Sequence, residues 1–389
     1  MLDYASSRSL PREQPAVLAF LRRLDWVLFG AVAALVAYGL WGVAGITRHD
    51  VAGNELYYVV RQAVAIGLGF VGLLLVLAVD PDRFRRAQKP IFAATIALML
   101  LVFALADETR GSKRWIDLGP FQFQPSEFGK LLFVLALAGF LADRVRRLDE
   151  ARVVLGAVGL AAIPILLVFK QPDLGTSLVY IAALSACLFV AGARWSHLLA
   201  LAVVGLASIV AVLVLLPKVG VELLEPYQKE RLTGFTNPDL DPSGTTYNVT
   251  QSITAIGSGG LDGRGVDGAT QTRLDYLPEH ATDFVFASFA EQRGFLGAAL
   301  LLGLYLLVVW RALRVITVAR DAFGAIAAGG IVFAFLFQVF VNVGMTMGIA
   351  PVTGIPLPFV TVGGSSMVVN LLAVGVLLSI HARGVHRGR

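Results

Sequence analysis

Cysteine is almost missing from this chain. Cys187 is the only one, so no disulfide can form within it. Histidine is scarce too, with five residues, and no Cys/His cluster has the spacing of a zinc site. Charge is thin: Asp, Glu, Lys and Arg make up 15% of the residues, against about 25% in soluble domains. That shortage excludes two or three soluble domains over 389 residues. No strong internal repeat stands out, so an inverted-repeat transporter has no support. The first 24 residues lack a cleavable secretory signal, and the apolar run that follows reads as a first span. What is present is apolar surface: 57% hydrophobic residues and a mean hydropathy of +0.74.

A membrane-crossing helix needs about 20 mostly apolar residues. The pattern predicts ten: 25–46, 59–79, 90–106, 126–143, 152–170, 175–192, 196–216, 284–310, 323–347 and 363–381. The fold class is therefore an all-α polytopic membrane protein, with a large external loop over 217–283 between the seventh and eighth helices. A short segment 1–24 precedes the membrane domain 25–381, and a tail 382–389 follows it. Lys and Arg follow one rule of sidedness. Clusters at Arg22-Arg23, Arg83 to Lys89, Arg144 to Arg152, Arg194, Arg311 to Arg320 and Arg383 to Arg389 all fall on one side only if the span number is even. Both termini are then cytoplasmic and the large loop is outside. The net charge of +5 reflects this sidedness and gives no reason to expect nucleic acid.

Ionisable residues near bilayer depth are costly and mark functional sites by default. Arg61-Gln62 lies at the outer edge of the second span, where a snorkelling Arg is the plain alternative. Arg114-Trp115 precedes Gln124-Pro125-Ser126-Glu127, with Pro125 suited to a first helical position and Gln124 or Ser126 to capping. Glu127 and Lys130, three residues apart, share a face. They form either a self-neutralising pair or a charged wall for an anionic headgroup. Lys170-Gln-Pro-Asp173 breaks two spans, as a tight turn with solvated charges or as the lining of a cavity. Asp283 stands at the mouth of the eighth span before Phe284-Val-Phe286. A carboxylate there loses solvation, which suits a general base. Thr282 or Asp283 also fits a helix N-cap. Glu291, further along, is buried or faces a cavity.

Some patterns mislead. Gly263-Arg-Gly265-Val-Asp-Gly268 matches G-x-G-x-x-G, but no strand leads into it and no βαβ unit surrounds it. With Gly257, Gly259 and Gly260 it reads as turn-rich backbone approaching a ligand closely. Asn237 to Asp241 lacks the Gly and terminal Glu of a calcium loop.

Several long motifs occur in order: GSKRWIDLGPFQFQPSEFGK at 111–130, KQPDLGTS at 170–177, GSGGLDGRG at 257–265, LPEHATDFVFA at 277–287 and TGIPLPFVTVGGSS at 353–366. On these the chain resembles the SEDS family (shape, elongation, division and sporulation proteins), and its 268–279 segment is nearer the RodA-type than the FtsW-type members. The resemblance implies a ten-helix enzyme of the bacterial cytoplasmic membrane that polymerises lipid II into peptidoglycan strands during elongation. It implies Asp283 as the catalytic residue and Arg61, Arg114, Glu127, Lys130, Lys170 and Asp173 as substrate-binding residues, with no dedicated metal ligands. A divalent cation, Mg2+ or Mn2+, would enter with the substrate pyrophosphate. Expected partners are a class B penicillin-binding protein, because no Ser-x-x-Lys transpeptidase nucleophile is present, and other elongation proteins. Two departures stand out: Ala281 sits where the family usually has His, with His280 one place earlier, and Glu291-Gln292 sits where a second acid is common. Rival classes are a lipid II flippase, which intramembrane charges would also suit, and a noncatalytic scaffold whose small-residue stretch Gly324 to Gly330 packs partner helices.

Overall fold

The computed structural model describes residues 20–106, 114–117, 122–218, 220 and 245–385. The segment before residue 20, the motif residues 111–113, the loop portion 221–244 with its Asn237 to Asp241 pattern, and the tail beyond 385 lie outside the described residues. Among the described residues, ten helices are long and apolar enough to cross a membrane. They are α1 (Trp26–Ile46), α2 (Tyr57–Ala78), α3 (Gln88–Leu105), α4 (Pro125–Ala142), α5 (Ala151–Lys170), α6 (Leu174–Ala191), α7 (Trp195–Lys218), α8 (Val285–Val318), α9 (Ala322–Thr346) and α10 (Gly364–Gly384). A two-residue hairpin, β1 (Ile116–Asp117) against β2 (Gln122–Phe123), precedes α4.

Local chemistry sets the helix starts. Asp25, Asp173 and Asp321 each accept a backbone N–H from three residues ahead, from Leu28, Thr176 and Gly324, which satisfies amides the first turn leaves free. Pro125 takes the first position of α4, but Gln124 makes no side-chain cap there. Its own N–H donates to the Ser365 hydroxyl instead. Gly192 ends α6 in the left-handed region, with φ 88°.

Nine helices end within three residues of expectation. The exception is α8, expected over 284–310 and found over Val285–Val318. Arg311 truncates the apolar run, yet its guanidinium is neutralised by the buried Asp25 carboxylate at 2.7 Å, so the helix continues. This pair, with His381 also near Asp25, joins α1, α8 and α10 at one end of the bundle. Arg320–Asp82, Arg383–Asp80 and Arg85–Asp143 add pairs there. Several of the basic clusters that sidedness assigned to one face do meet at one end.

The buried centre is α4, α9 and α10, while α7 buries no side chain. α10 packs along α2 and α9 along α6. Gly329 and Gly330 are small because α9 presses on its own chain. A Cβ at Gly329 would lie 2.6 Å from Val190, and one at Gly330 2.6 Å from the Cys187 sulfur. The small-residue stretch read as a surface for partner helices is thus, at these positions, internal packing.

Candidate active site at the loop end of the bundle

The helices place the long sequence motifs at the other end, and hydrogen bonds stitch them together. α8 starts after a turn over 281–284, and Asp283 is half-buried. The residue flanking the helix is Phe284, whose side chain offers no cap. The Thr282 hydroxyl donates to the Glu279 carboxylate at 2.8 Å. Two direct bonds and a bridge through Asn342 of α9 hold the turn to the 355–362 loop. Val362 N–H donates to the Ala281 carbonyl at 3.1 Å. The Thr361 hydroxyl donates to the Thr282 carbonyl at 3.2 Å. The buried Asn342 amide donates to the carbonyls of Asp283 at 3.0 Å and Ile355 at 2.8 Å.

The 355–363 loop is held in turn by α2. The buried Gln62 amide donates to the Thr361 carbonyl at 3.1 Å and its oxygen accepts Gly363 N–H at 3.3 Å. Arg61 is next along α2. Its guanidinium donates to the Tyr57 hydroxyl at 2.8 Å and lies over that ring. One further link runs through Ser365, which donates to the Gln122 carbonyl and accepts Gln124 N–H. The Gln124 side chain then donates to Asp173 at 3.3 Å, and Gly175 lies so close to the Thr353 carbonyl that a Cβ would reach it at 2.5 Å.

The residues expected to bind substrate have different surroundings. Asp173 is buried and shared between Thr176 N–H and Gln124. Arg114 donates to the Gln171 carbonyl at 3.1 Å and to the Pro172 carbonyl, so it clasps the α5–α6 turn. Lys130 and Glu127 form a pair at 2.7 Å with side chains 9% and 1% exposed, and Lys130 also donates to Gln338 at 2.9 Å. This is the self-neutralising arrangement, buried in the bundle, and not an open charged wall. Lys170 is exposed and forms no ion pair among the described residues. Arg61 and Lys170 are therefore the cations with headgroups nearest to free solvent, while Arg114, Asp173, Glu127 and Lys130 hold the frame.

Sequence reasoning missed Asn342, Thr361 and Gln338, and undervalued Gln62. A signal existed. Gln338 and Asn342 are polar residues four apart inside the apolar α9, a spacing that puts both on one helix face, where polar groups in a span seek partners.

The glycine run is explained by α8. Its backbone breaks at Gly294, with φ 66°. Gly259 and Gly263 lie flat against α8, where a Cβ would come within 2.2 Å of the Ala290 carbonyl and 2.3 Å of the Gln292 carbonyl. Arg264 and Phe295 complete backbone bonds across this contact. Glu291 is fully buried and accepts the N–H groups of Gln271 and Thr272 and the Thr272 hydroxyl, at 2.7–3.0 Å. The close approach expected toward a ligand is, at Gly259 and Gly263, to the chain's own helix. In the same loop His280 sits 3.0 Å from Asp50 and 3.6 Å from Asp275. Burial works against its charge, but the hydrogen bond and charge of Asp50, with Asp275, outweigh it and raise its pKa.

Among the described residues no group of three His, Cys, Asp or Glu side chains forms a cation cage. The donor set fits a divalent cation only if substrate oxygens supply most of its ligands.

A bundle of ten apolar helices defines a polytopic membrane protein. Residues 22–385 match the cell cycle protein family of FtsW, RodA and SpoVE, and the chain belongs to that family. Stage V sporulation protein E of Bacillus subtilis (strain 168) is 36% identical over 330 residues, 84% of this chain and 87% of the relative. The peptidoglycan glycosyltransferase MrdB of Escherichia coli (strain K12) is 36% identical over 363 residues, 92% of this chain and 93% of MrdB. The crystal structure of the rod shape determining protein RodA of Thermus thermophilus aligns with a TM-score of 0.66 at 31% identity, over 92% of this chain and 96% of that one. A chain from a peptidoglycan synthase complex that coordinates polymerization and crosslinking aligns with a TM-score of 0.77 at 33% identity, over 93% and 98%.

Proposed function

We propose that this chain polymerises lipid II into glycan strands during cell elongation, with Asp283 as general base. Its class follows its family: the chain is a peptidoglycan glycosyltransferase of the membrane. The observation that carries the role of Asp283 is its mounting. The turn bearing it is tied through its backbone carbonyls to α9 and to the 355–362 loop, and that loop to α2, so the backbone that carries the carboxylate is fixed in place. Such preorganisation is what a base needs.

In this reading Asp283 takes the proton of the acceptor sugar hydroxyl as that oxygen attacks the donor anomeric carbon. The carbon–oxygen bond to pyrophosphate breaks, and the lipid pyrophosphate leaves with the bonding electrons. Direct displacement inverts the anomeric centre. Arg61 and Lys170, the cations whose headgroups lie nearest to solvent, offset the charge on the leaving group. A divalent cation bound with the pyrophosphate would share that charge. Both termini lie in the cytoplasm and the Asp283 end faces outward, following the Lys and Arg distribution. A class B transpeptidase supplies crosslinking. The elongation role rests on the RodA-like 268–279 segment.

The test is gel-resolved polymerisation of lipid II by purified protein, alone and with a class B transpeptidase. Long strands are expected. Movement of lipid II across liposomes without polymer would overturn the proposal in favour of a flippase. Depletion in cells tests the elongation role: rounding supports it, and filaments with blocked septa would contradict it.

A further inference from the structure

At the basic end of the bundle, a groove of about 470 Å³ opens between α3 and α5 with α4 as its floor. It is separate from the Asp283 site, at the opposite end of the helices. α3 and α4 touch closely behind it, since a Cβ at Gly139 would lie 2.7 Å from that of Gln88. Its depth is apolar and aromatic, with Phe92, Phe133, Leu137, Phe140 and Leu160. Its mouth is polar, with Lys89 at the second residue of α3 and Arg144 just beyond the end of α4.

The charge at the mouth is one-sided. Asp143 is the acidic residue there, and it is already satisfied, by Arg85 at 3.0 Å and Gln88 at 2.6 Å. Lys89 is exposed and has no ion pair among the described residues. Arg144 spends one N–H on the Phe140 carbonyl at 3.0 Å and stacks on the Phe140 ring, its guanidinium carbon 4.0 Å from the centroid. The other N–H groups of its fork are left for an anion. An apolar slot capped by two cations, at the membrane face richest in Lys and Arg, matches an anionic headgroup joined to an acyl chain.

We propose that this groove is a binding site for an anionic phospholipid of the inner leaflet, with its phosphate on Lys89 and Arg144 and one acyl chain among Phe92, Leu137, Phe140 and Leu160. The headgroup bridges the starts of α3 and the end of α4, and the chain fills the gap that α5 leaves. The proposal does not depend on the catalytic reading.

Native mass spectrometry of the delipidated full chain, titrated with phosphatidylglycerol or phosphatidylcholine, reads the first bound lipid. Phosphatidylglycerol is expected to bind at least tenfold tighter. Lys89→Gln, an exposed change compatible with folding, should weaken it about fivefold, and adding Arg144→Gln about fivefold again. Leu160→Trp, which fills the slot, should weaken it as well. Arg194→Gln, at an exposed Arg outside the groove, should change nothing. Equal binding of the two lipids would overturn the proposal. So would a preference that survives the double substitution, or one lost equally on Arg194→Gln, which would assign it to the general basic surface. Tighter capture of a polyprenyl diphosphate by the same two cations would give the groove to the substrate lipid and overturn it too.

Discussion

The Thr361 hydroxyl donates to the carbonyl of Thr282 across 3.2 Å, tying the loop before α10 to the residue that precedes Asp283. The same hydroxyl accepts Leu357 N–H at 2.8 Å, so one side chain closes its own loop and fixes the turn that carries the carboxylate. Asn342 does the same from α9. The position of Asp283 therefore depends on residues with no chemical part in glycosyl transfer.

Asn342→Leu tests that dependence. It keeps the volume but leaves the Asp283 and Ile355 carbonyls without their donor, at a cost of about 1–3 kcal/mol for each buried group. Lipid II polymerisation should fall about tenfold to a hundredfold, the scale of a displacement near 1 Å, while the protein still inserts and purifies. Unchanged turnover would show that the turn needs no support from α9.

The buried Glu127–Lys130 pair makes a separate prediction for stability. Lys130→Met leaves a carboxylate buried beside Gln338 and should destabilise by about 3–5 kcal/mol. Adding Glu127→Leu removes that lone charge and should recover most of the loss. Thermal unfolding in detergent measures both. A double variant as unstable as the single one would mean the pair is more than a self-neutralising element.

Glycine substitutions separate close packing from flexible turn. Gly259→Ala and Gly263→Ala place a methyl against α8 carbonyls and should destabilise by about 2–3 kcal/mol. Gly257, in the Thr245–Ser258 helix, has open space around it, and Gly257→Ala should be neutral or stabilise by up to about 1 kcal/mol. Equal effects at all three positions would contradict the packing explanation.

His280 gives a pH dependence. Its folded pKa is raised above the ordinary value near 6.5. The stabilisation from Asp50 and Asp275 is therefore fully present below about pH 6.5 and is lost as pH rises through the higher folded value. Hydrogen exchange of residues 277–284, corrected for intrinsic rates, should show protection falling over that interval. Asp50→Asn should flatten the profile. Protection that increases with pH there would refute the ion pair.

The spans were legible because apolar length and Lys and Arg sidedness are one-dimensional signals. The Glu127–Lys130 pair was legible for the same reason, since three residues along a helix fix a shared face. The full length of α8 was hidden because Arg311 looks like a terminus until Asp25, 286 residues away, neutralises it. Arg114 and Asp173 read as ligand-binding charges because sequence gives charge without partners. Their partners, the 171–172 carbonyls and Gln124, become neighbours only through the fold. Gly259 and Gly263 read as sites of close approach to a ligand, but their neighbour is α8, and nothing local in the sequence says so.

The most direct measurement compares wild type with Asp283→Asn in lipid II polymerisation resolved on a gel, with lipid II binding measured in parallel. The substitution keeps shape and removes the base. The account predicts long strands from wild type, none from the variant, and binding retained by both. Strands of normal length and rate from Asp283→Asn would contradict it.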